Sequence, residues 1–144
     1  SGDFAHCLHV EAADHRLHAH SLMTGQIRLL GQGTASLALA ATLRDRELKQ
    51  IYERRCLDYE AAGITQDRLW QMVAFTRKLQ HSESENLLTT GAVGIGVAIR
   101  VQADHVAAIS VATHASRMTD EHKEAALRVL EEELQTPAIR LFGY

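Results

Sequence analysis

Two groups of residues in this chain have types and spacings that can do chemistry. The first lies within Thr90 to Arg117, TGAVGIGVAIRVQADHVAAISVATHASR, where Gly91, Gly94 and Gly96 leave one strand almost without side chains. The next strand, Val106 to Thr113, is small and β-branched and carries one hydroxyl, Ser110. Glycine inside a strand marks a bend or a close approach by a ligand or another backbone. A glycine-lined strand beside a hydroxyl-bearing one can floor a small-molecule pocket, and it can equally be a buried sheet in which glycine only makes room. The second group is histidine: of nine in the chain, five fall between His6 and His20, with Cys7 among them. If a hairpin folds about Ala13–Asp14, His9 lies opposite His18 and Cys7 opposite His20. Residues two apart share a strand face, so Cys7, His9, His18 and His20 would converge as a zinc-compatible set. That set depends on the register, since a slip of one residue disperses it. A sheet face of solvated imidazoles is the alternative.

Other motifs carry less. Gly91-x-x-Gly94-x-Gly96 and Gly31-x-Gly33 match neither a Walker loop nor the dinucleotide-binding order. Gly31-x-Gly33-Thr34 does precede a predicted helix, whose first N–H groups can receive an anion. Ser21, Ser36, Ser82, Ser84, Ser110 and Ser116 lack a nucleophile-elbow context. Glu83, Glu85 and Asp67 sit in polar or helix-start settings suited to solvation or capping. No catalytic centre is predicted, and no cofactor.

The elements that must position these residues follow from pattern. Phe4–Glu11 and Arg16–Met23 read as a β-hairpin ended by Gly25. Ile27–Gly33 is a short apolar run closing in a glycine turn, and Thr34 is placed to N-cap a buried Ala/Leu-rich helix through Leu43. Arg44–Tyr59 reads as one helix stopped by Gly63. Thr65 or Asp67 caps another, with Leu69, Met72, Val73, Thr76 and Leu79 at helical spacing. Gln80–Asn86 is the most polar segment and reads as a loop. The glycine-rich strand pair follows, and Thr119 caps a last helix before Pro137. Strands at both ends with helices between predict an α+β domain with a mainly antiparallel sheet.

Composition bounds the rest. At 144 residues the chain fits one domain spanning 1–144. With 46% apolar and 23% charged residues it is globular, without an apolar run long enough to span a bilayer. A formal charge of −3 argues against this piece binding nucleic acid by itself. Cys7 and Cys56 stand far apart in unlike contexts, which fits a reducing cytoplasm. The opening Ser1-Gly2, with no Met, reads as a remnant on a fragment whose N-terminal part is missing.

With that order in place, the sequence resembles the C-terminal effector-binding domain of the IclR family of bacterial transcriptional regulators over nearly its whole length. The family strand G-[VL]-x-[CGS]-[IV]-A-x-P-[VI] is similar to Gly91–Ile99. The following A-A-[IL]-S-[IV]-[SA]-G-P-x-x-R-[IL]-[TS] is similar to Ala107–Thr119, and L-x-x-T-A-x-G-K-A-L-L-A to Leu30–Ala40. The order and spacing of these degenerate motifs are more specific than any one of them. The family's helix Gly-Lys is Ala35-Ser36 here, its strand proline is Ala98, and its loop Gly-Pro is Thr113-His114.

The resemblance implies a GAF-like sensor domain: a curved antiparallel sheet with flanking helices and a ligand pocket over the sheet. It implies a small-molecule effector, commonly an organic acid or aromatic catabolite, and no enzymatic activity. DNA would be contacted only through a winged helix-turn-helix domain absent from this chain, and homodimers or homotetramers are the family habit. Carried over by position, ligand contacts would come from Ile27, Gly33 and Thr34, from Ser84 or Glu85 in the polar loop, and from Gly94, Ser110 and Ala112. Gly94 stands where the family often has Cys, which leaves room for a bulkier or more apolar ligand. The competing readings are a free-standing GAF-like sensor or enzyme, and a metal sensor using the Cys7, His9, His18 and His20 set.

Overall fold

The computed structural model describes residues 2–11, 23–85, 91–135 and 138–141. Its centre is the strand β4, Ala92–Gln102, flanked by β3, Ser82–Glu85, and β5, His105–His114, in one antiparallel sheet. A second antiparallel pair joins β1, Phe4–His6, to β2, Ile27–Leu29. The helices are α1 (Thr34–Ala41), α2 (Asp45–Arg54), α3 (Cys56–Ala61), α4 (Gln66–Leu79), α5 (Asp120–Leu134) and α6 (Ala138–Leu141), and a 3-10 turn spans Ala115–Arg117. This is the expected α+β class with antiparallel sheets.

Alternation along β4 divides the core in two. Gly94, Gly96 and Ala98 face α1, while Ile95 and Val97 pack with Leu130 of α5 and with Met118, Leu127 and Leu134. The larger cluster gathers Leu29, Leu37, Leu48, Tyr59, Leu69 and Ala98 among others, and Ala138 and Ile139 of α6 join it. α1 is buried nearly all round, as its Ala/Leu composition requires: Leu37, Ala38, Ala40 and Ala41 are all in the core. Ser36 is buried as well, and its hydroxyl donates to Leu29 O at 2.5 Å and accepts from Gly31 N at 2.8 Å. It thereby staples the end of β2 to the helix. Gly31 has φ of 97°, and a side chain there would collide with Leu69. Both observations require glycine.

The capping expectations hold at two helices. Thr65 accepts from Arg68 N at 3.1 Å, and Thr119 accepts from His122 N at 3.2 Å, with Asp120 and Glu121 in the first turn. At α1 the expectation shifts by one residue. Gly33 is the N-cap, at φ 108° and ψ 163°, and Thr34 is already helical, its hydroxyl paired with that of Ser84 instead.

Three expected elements differ. The first strand is only Phe4–His6 and its partner is Ile27–Leu29, with Cys7–Glu11 outside any strand. The backbone of Cys7 continues that pairing, donating to Gln26 O and accepting from Gly25 N. Most of the expected Arg16–Met23 strand lies outside the described residues. Arg44–Tyr59 is two helices broken at Arg55. Neighbouring side chains on an unbroken helix point about 100° apart, and the break lets both arginines reach one acid. Arg54 and Arg55 each bond Asp3, at 2.7 and 3.0 Å, and Arg55 lies 4.7 Å from the Phe4 ring centre. Finally, the polar segment expected as a loop contains β3. Its serines adopt a strand because their hydroxyls find partners beneath α1, so tertiary contacts override propensity.

Candidate functional site at the start of α1

The residues singled out in the sequence are partly gathered where α1 begins. In β3, Ser82 pairs with Gly96 and Ser84 with Gly94, so both serines and both glycines share the face turned to α1. Ser82 is fully buried and donates to Thr34 O at 2.7 Å. Ser84 Oγ and Thr34 Oγ1 form a short hydroxyl pair. A Cβ on Gly94 would collide with Thr34 Oγ1 and stand 3.1 Å from Thr34 Cβ and 3.3 Å from Ser84 Oγ. On Gly96 it would meet Ser82 Oγ at 2.7 Å and Thr34 O at 3.2 Å. The glycines therefore let the first turn of α1 sit directly on β4.

Gly33, Thr34, Ser84 and Gly94 are thus together. Ala112 lies beside Gly94 and Ser110 beside Gly96 on the same face, with Ala112 half-buried and Ser110 exposed. Ile27 is 49% exposed on β2, in the other sheet. Glu85 pairs with Val93 and belongs to the opposite face.

Two hollows flank β3. One, of about 270 Å³, lies toward α5 and is bordered by Glu83, Glu85, Ile95, Met118 and Lys123. The other, of about 350 Å³, lies toward α4 and is bordered by Leu37, Arg68, Gln71, Met72 and Phe75. Ser84 and Glu85 reach both, Gly94 reaches the first, and the remaining candidates border neither. In the first hollow Glu83 bonds His81 at 3.2 Å and Lys123 at 3.3 Å. Burial pushes the Glu83 carboxyl up, but the His81 hydrogen bond and the Lys123 charge outweigh it and hold the group below its ordinary value. Glu83 stands in the sequence only as a solvated carboxylate and Met72 only as a core position, and Lys123, Arg68, Gln71 and Phe75 carry no motif that marks either face. The only signal for the α4 face is the i, i+3, i+4, i+7 spacing of Arg68, Gln71, Met72 and Phe75.

Of the histidine and cysteine set, His18 and His20 lie outside the described residues. Cys7 donates weakly to His9 O at 3.8 Å, and His9 pairs with Glu11 at 3.0 Å. No group of three potential metal ligands occurs among the described residues. No helix among them is long and apolar enough to cross a membrane.

A central antiparallel strand with a helix seated on its glycines, and a second helix on its other face, defines an α+β domain of the expected class. Residues 6–137 match the family described as bacterial transcriptional regulator IclR C-terminal. The chain belongs to that family. No curated protein matches it. Among solved structures it is similar to the transcriptional regulator YaiJ at 18% identity and TM-score 0.77, covering 96% of this chain and 78% of that one. The C-terminal domain of the Escherichia coli transcriptional regulator KdgR is 18% identical with TM-score 0.62, over 83% and 71% of the two chains. IclR of Thermotoga maritima is 18% identical with TM-score 0.63, and 86% of this chain spans 52% of that protein. At these identities the likeness is one of fold.

Proposed function

We propose that this chain is the single effector-binding domain, residues 1–144, of a transcriptional regulator. In this reading it binds a small organic acid or aromatic catabolite and has no catalytic role. The observation that carries the reading is the family match over residues 6–137. The full-length protein would hold a winged helix-turn-helix domain before this one and work in the cytoplasm as a homodimer or homotetramer. DNA would be bound through that domain alone, consistent with the net charge of −3 on this one.

The effector would lie over β4 and β5 at the start of α1, where Gly33 and Thr34 offer helix N–H groups to an acid and Ser84 and Ser110 offer hydroxyls. To enter, it must part the Thr34–Ser84 hydroxyl pair that now closes this seat. Bound and free domains would therefore differ in how α1 rests on β4. A ligand shifts such an equilibrium only by its differential affinity for the two states.

A panel of short-chain, dicarboxylic and aromatic acids tests this by thermal unfolding. A true effector at one hundred times its Kd adds about 2.7 kcal/mol of stability, a shift of several degrees. The shift should shrink in Ser84→Ala and Ser110→Ala, and in the full-length regulator the same acid should change affinity for promoter DNA. A panel that leaves the unfolding midpoint unmoved removes the effector reading.

A further inference from the structure

We propose that Asp3, Arg54 and Arg55 form an entry clamp, through which the first residues of the domain follow the position of α1. The first residues of a domain are poorly ordered unless something ties them down, and here two guanidiniums close on one carboxylate. Arg54 grips Asp3 in a fork, Nη2 to Oδ1 at 2.7 Å and Nε to Oδ2 at 3.2 Å, and Arg55 Nε adds a third bond to Oδ2 at 3.0 Å. Arg55 also lies over the Phe4 ring. The Asp3 side chain is only 11% exposed, while those of Arg54 and Arg55 are 56% and 41% exposed. Ion pairs with such open partners contribute little to stability, yet the helix is interrupted at Arg55 to make these. The clamp is better accounted for by where it holds residues 3 and 4 than by the stability it adds.

Two routes tie residues 3 and 4 to the turn before α1. Phe4 pairs with Leu29, whose carbonyl accepts from the Ser36 hydroxyl of α1. Arg55 is the N-cap of α3 and its carbonyl accepts from Tyr59 N at 3.0 Å, and the Tyr59 hydroxyl donates to Leu30 O at 2.8 Å. Leu29 and Leu30 are both buried, and the next residue, Gly31, donates its N–H to the same Ser36 hydroxyl. A shift of α1 on β4 is therefore passed to Asp3 and Phe4 through bonded, buried groups. Such a chain carries coupling when one element in it has two arrangements. The regulatory use of the clamp rests on the effector reading above, in which that element is α1. A DNA-binding domain preceding residue 1 would be re-aimed when a ligand lifts α1 from Ser84 and Gly94.

Nitrogen–proton NMR spectra of the 144-residue chain test the coupling without any ligand, because Arg54 Nε and Arg55 Nε both donate to Asp3. Gly94→Ala, whose Cβ would collide with Thr34 Oγ1, displaces the start of α1. It should shift both Nε–H signals and the Phe4 amide, and Tyr59→Phe in the same chain should diminish the shift. Ser84→Ala removes the hydroxyl pair without adding an atom, and should move the same signals even if Gly94→Ala does not fold. In the full-length regulator, Asp3→Asn should leave effector affinity within about twofold and cut the effector-induced change in DNA affinity about fivefold or more. Nε–H signals that stay put in both seat variants, or a shift undiminished by Tyr59→Phe, overturn the clamp. A DNA response unchanged in Asp3→Asn does so as well. Signals that move in a domain to which no acid of the panel binds uphold the clamp and remove only the effector reading.

Discussion

Gly94 and Gly96 illustrate how one residue type can serve different constraints two positions apart. The obstacles to a Cβ on Gly94 are side-chain atoms of Thr34 and Ser84, whereas on Gly96 they include the backbone oxygen of Thr34. Side chains can be trimmed and backbone cannot. Gly94→Ala should therefore cost about 1–3 kcal/mol from overpacking, and Thr34→Ala in the same chain should recover part of the loss. Gly96→Ala should cost at least as much, with less recovery from Thr34→Ala, because Ser82 Oγ and Thr34 O stay in place when Thr34 Cγ2 is removed. Urea midpoints of Gly94→Ala, Gly96→Ala, Thr34→Ala and the two doubles, set against the parent chain, close two double-mutant cycles that read the difference. Equal rescue at both positions would mean that α1 can lift from β4 without penalty.

At the scale of elements, α3 is held by an aromatic post. Tyr59 is fully buried, stacks on Tyr52 at 4.8 Å between ring centres, and donates its hydroxyl to Leu30 O at 2.8 Å. Tyr52 in turn meets Trp70 edge-on and bonds Ile64 O at 3.2 Å. The post ties α2, α3 and α4 to Leu30, the residue just after β2. Burial is the chief reason that the Tyr59 hydroxyl titrates only at about 12, with the Asp3 charge adding to it. A phenol whose folded value is raised stabilises the fold fully below its unfolded value of about 10. That contribution is lost as pH climbs from about 10 toward 12. Tyr59→Phe should cost about 1 kcal/mol at neutral pH for the hydrogen bond. It should also flatten the alkaline limb of stability between about pH 10 and 12, measured by denaturant unfolding.

For the whole molecule, pattern made the α+β class, the buried α1, the capped α4 and α5, and the β4–β5 pair legible, because each writes its period or its cap locally. What was not legible was set by contacts distant in sequence. Arg55 breaks a helix of good propensity so that it and Arg54 can share Asp3, some fifty residues away. Ser82 to Glu85 has loop composition, yet becomes a strand because hydroxyls meet Thr34 across a similar separation. The candidate site was legible in part for the same reason. Gly33, Thr34, Ser84 and Gly94 do meet, while Ile27 belongs to the other sheet. The space opposite Gly94, read in the sequence as room, holds the side chains of Thr34 and Ser84.

The position of β4 as the shared wall of both cores has a further consequence. Its neighbours β3 and β5 have no second strand partner among the described residues, but β4 is paired on both edges and covered on both faces. Neither core can open around it without disturbing the other. Amide protons of Ile95 and Val97 should therefore exchange with solvent deuterium only through unfolding of the entire domain, at the global free energy. Outward-facing amides of β3 and β5 should exchange through smaller, local openings. An exchange map in which β4 is no better protected than β5 would mean that the two cores melt independently.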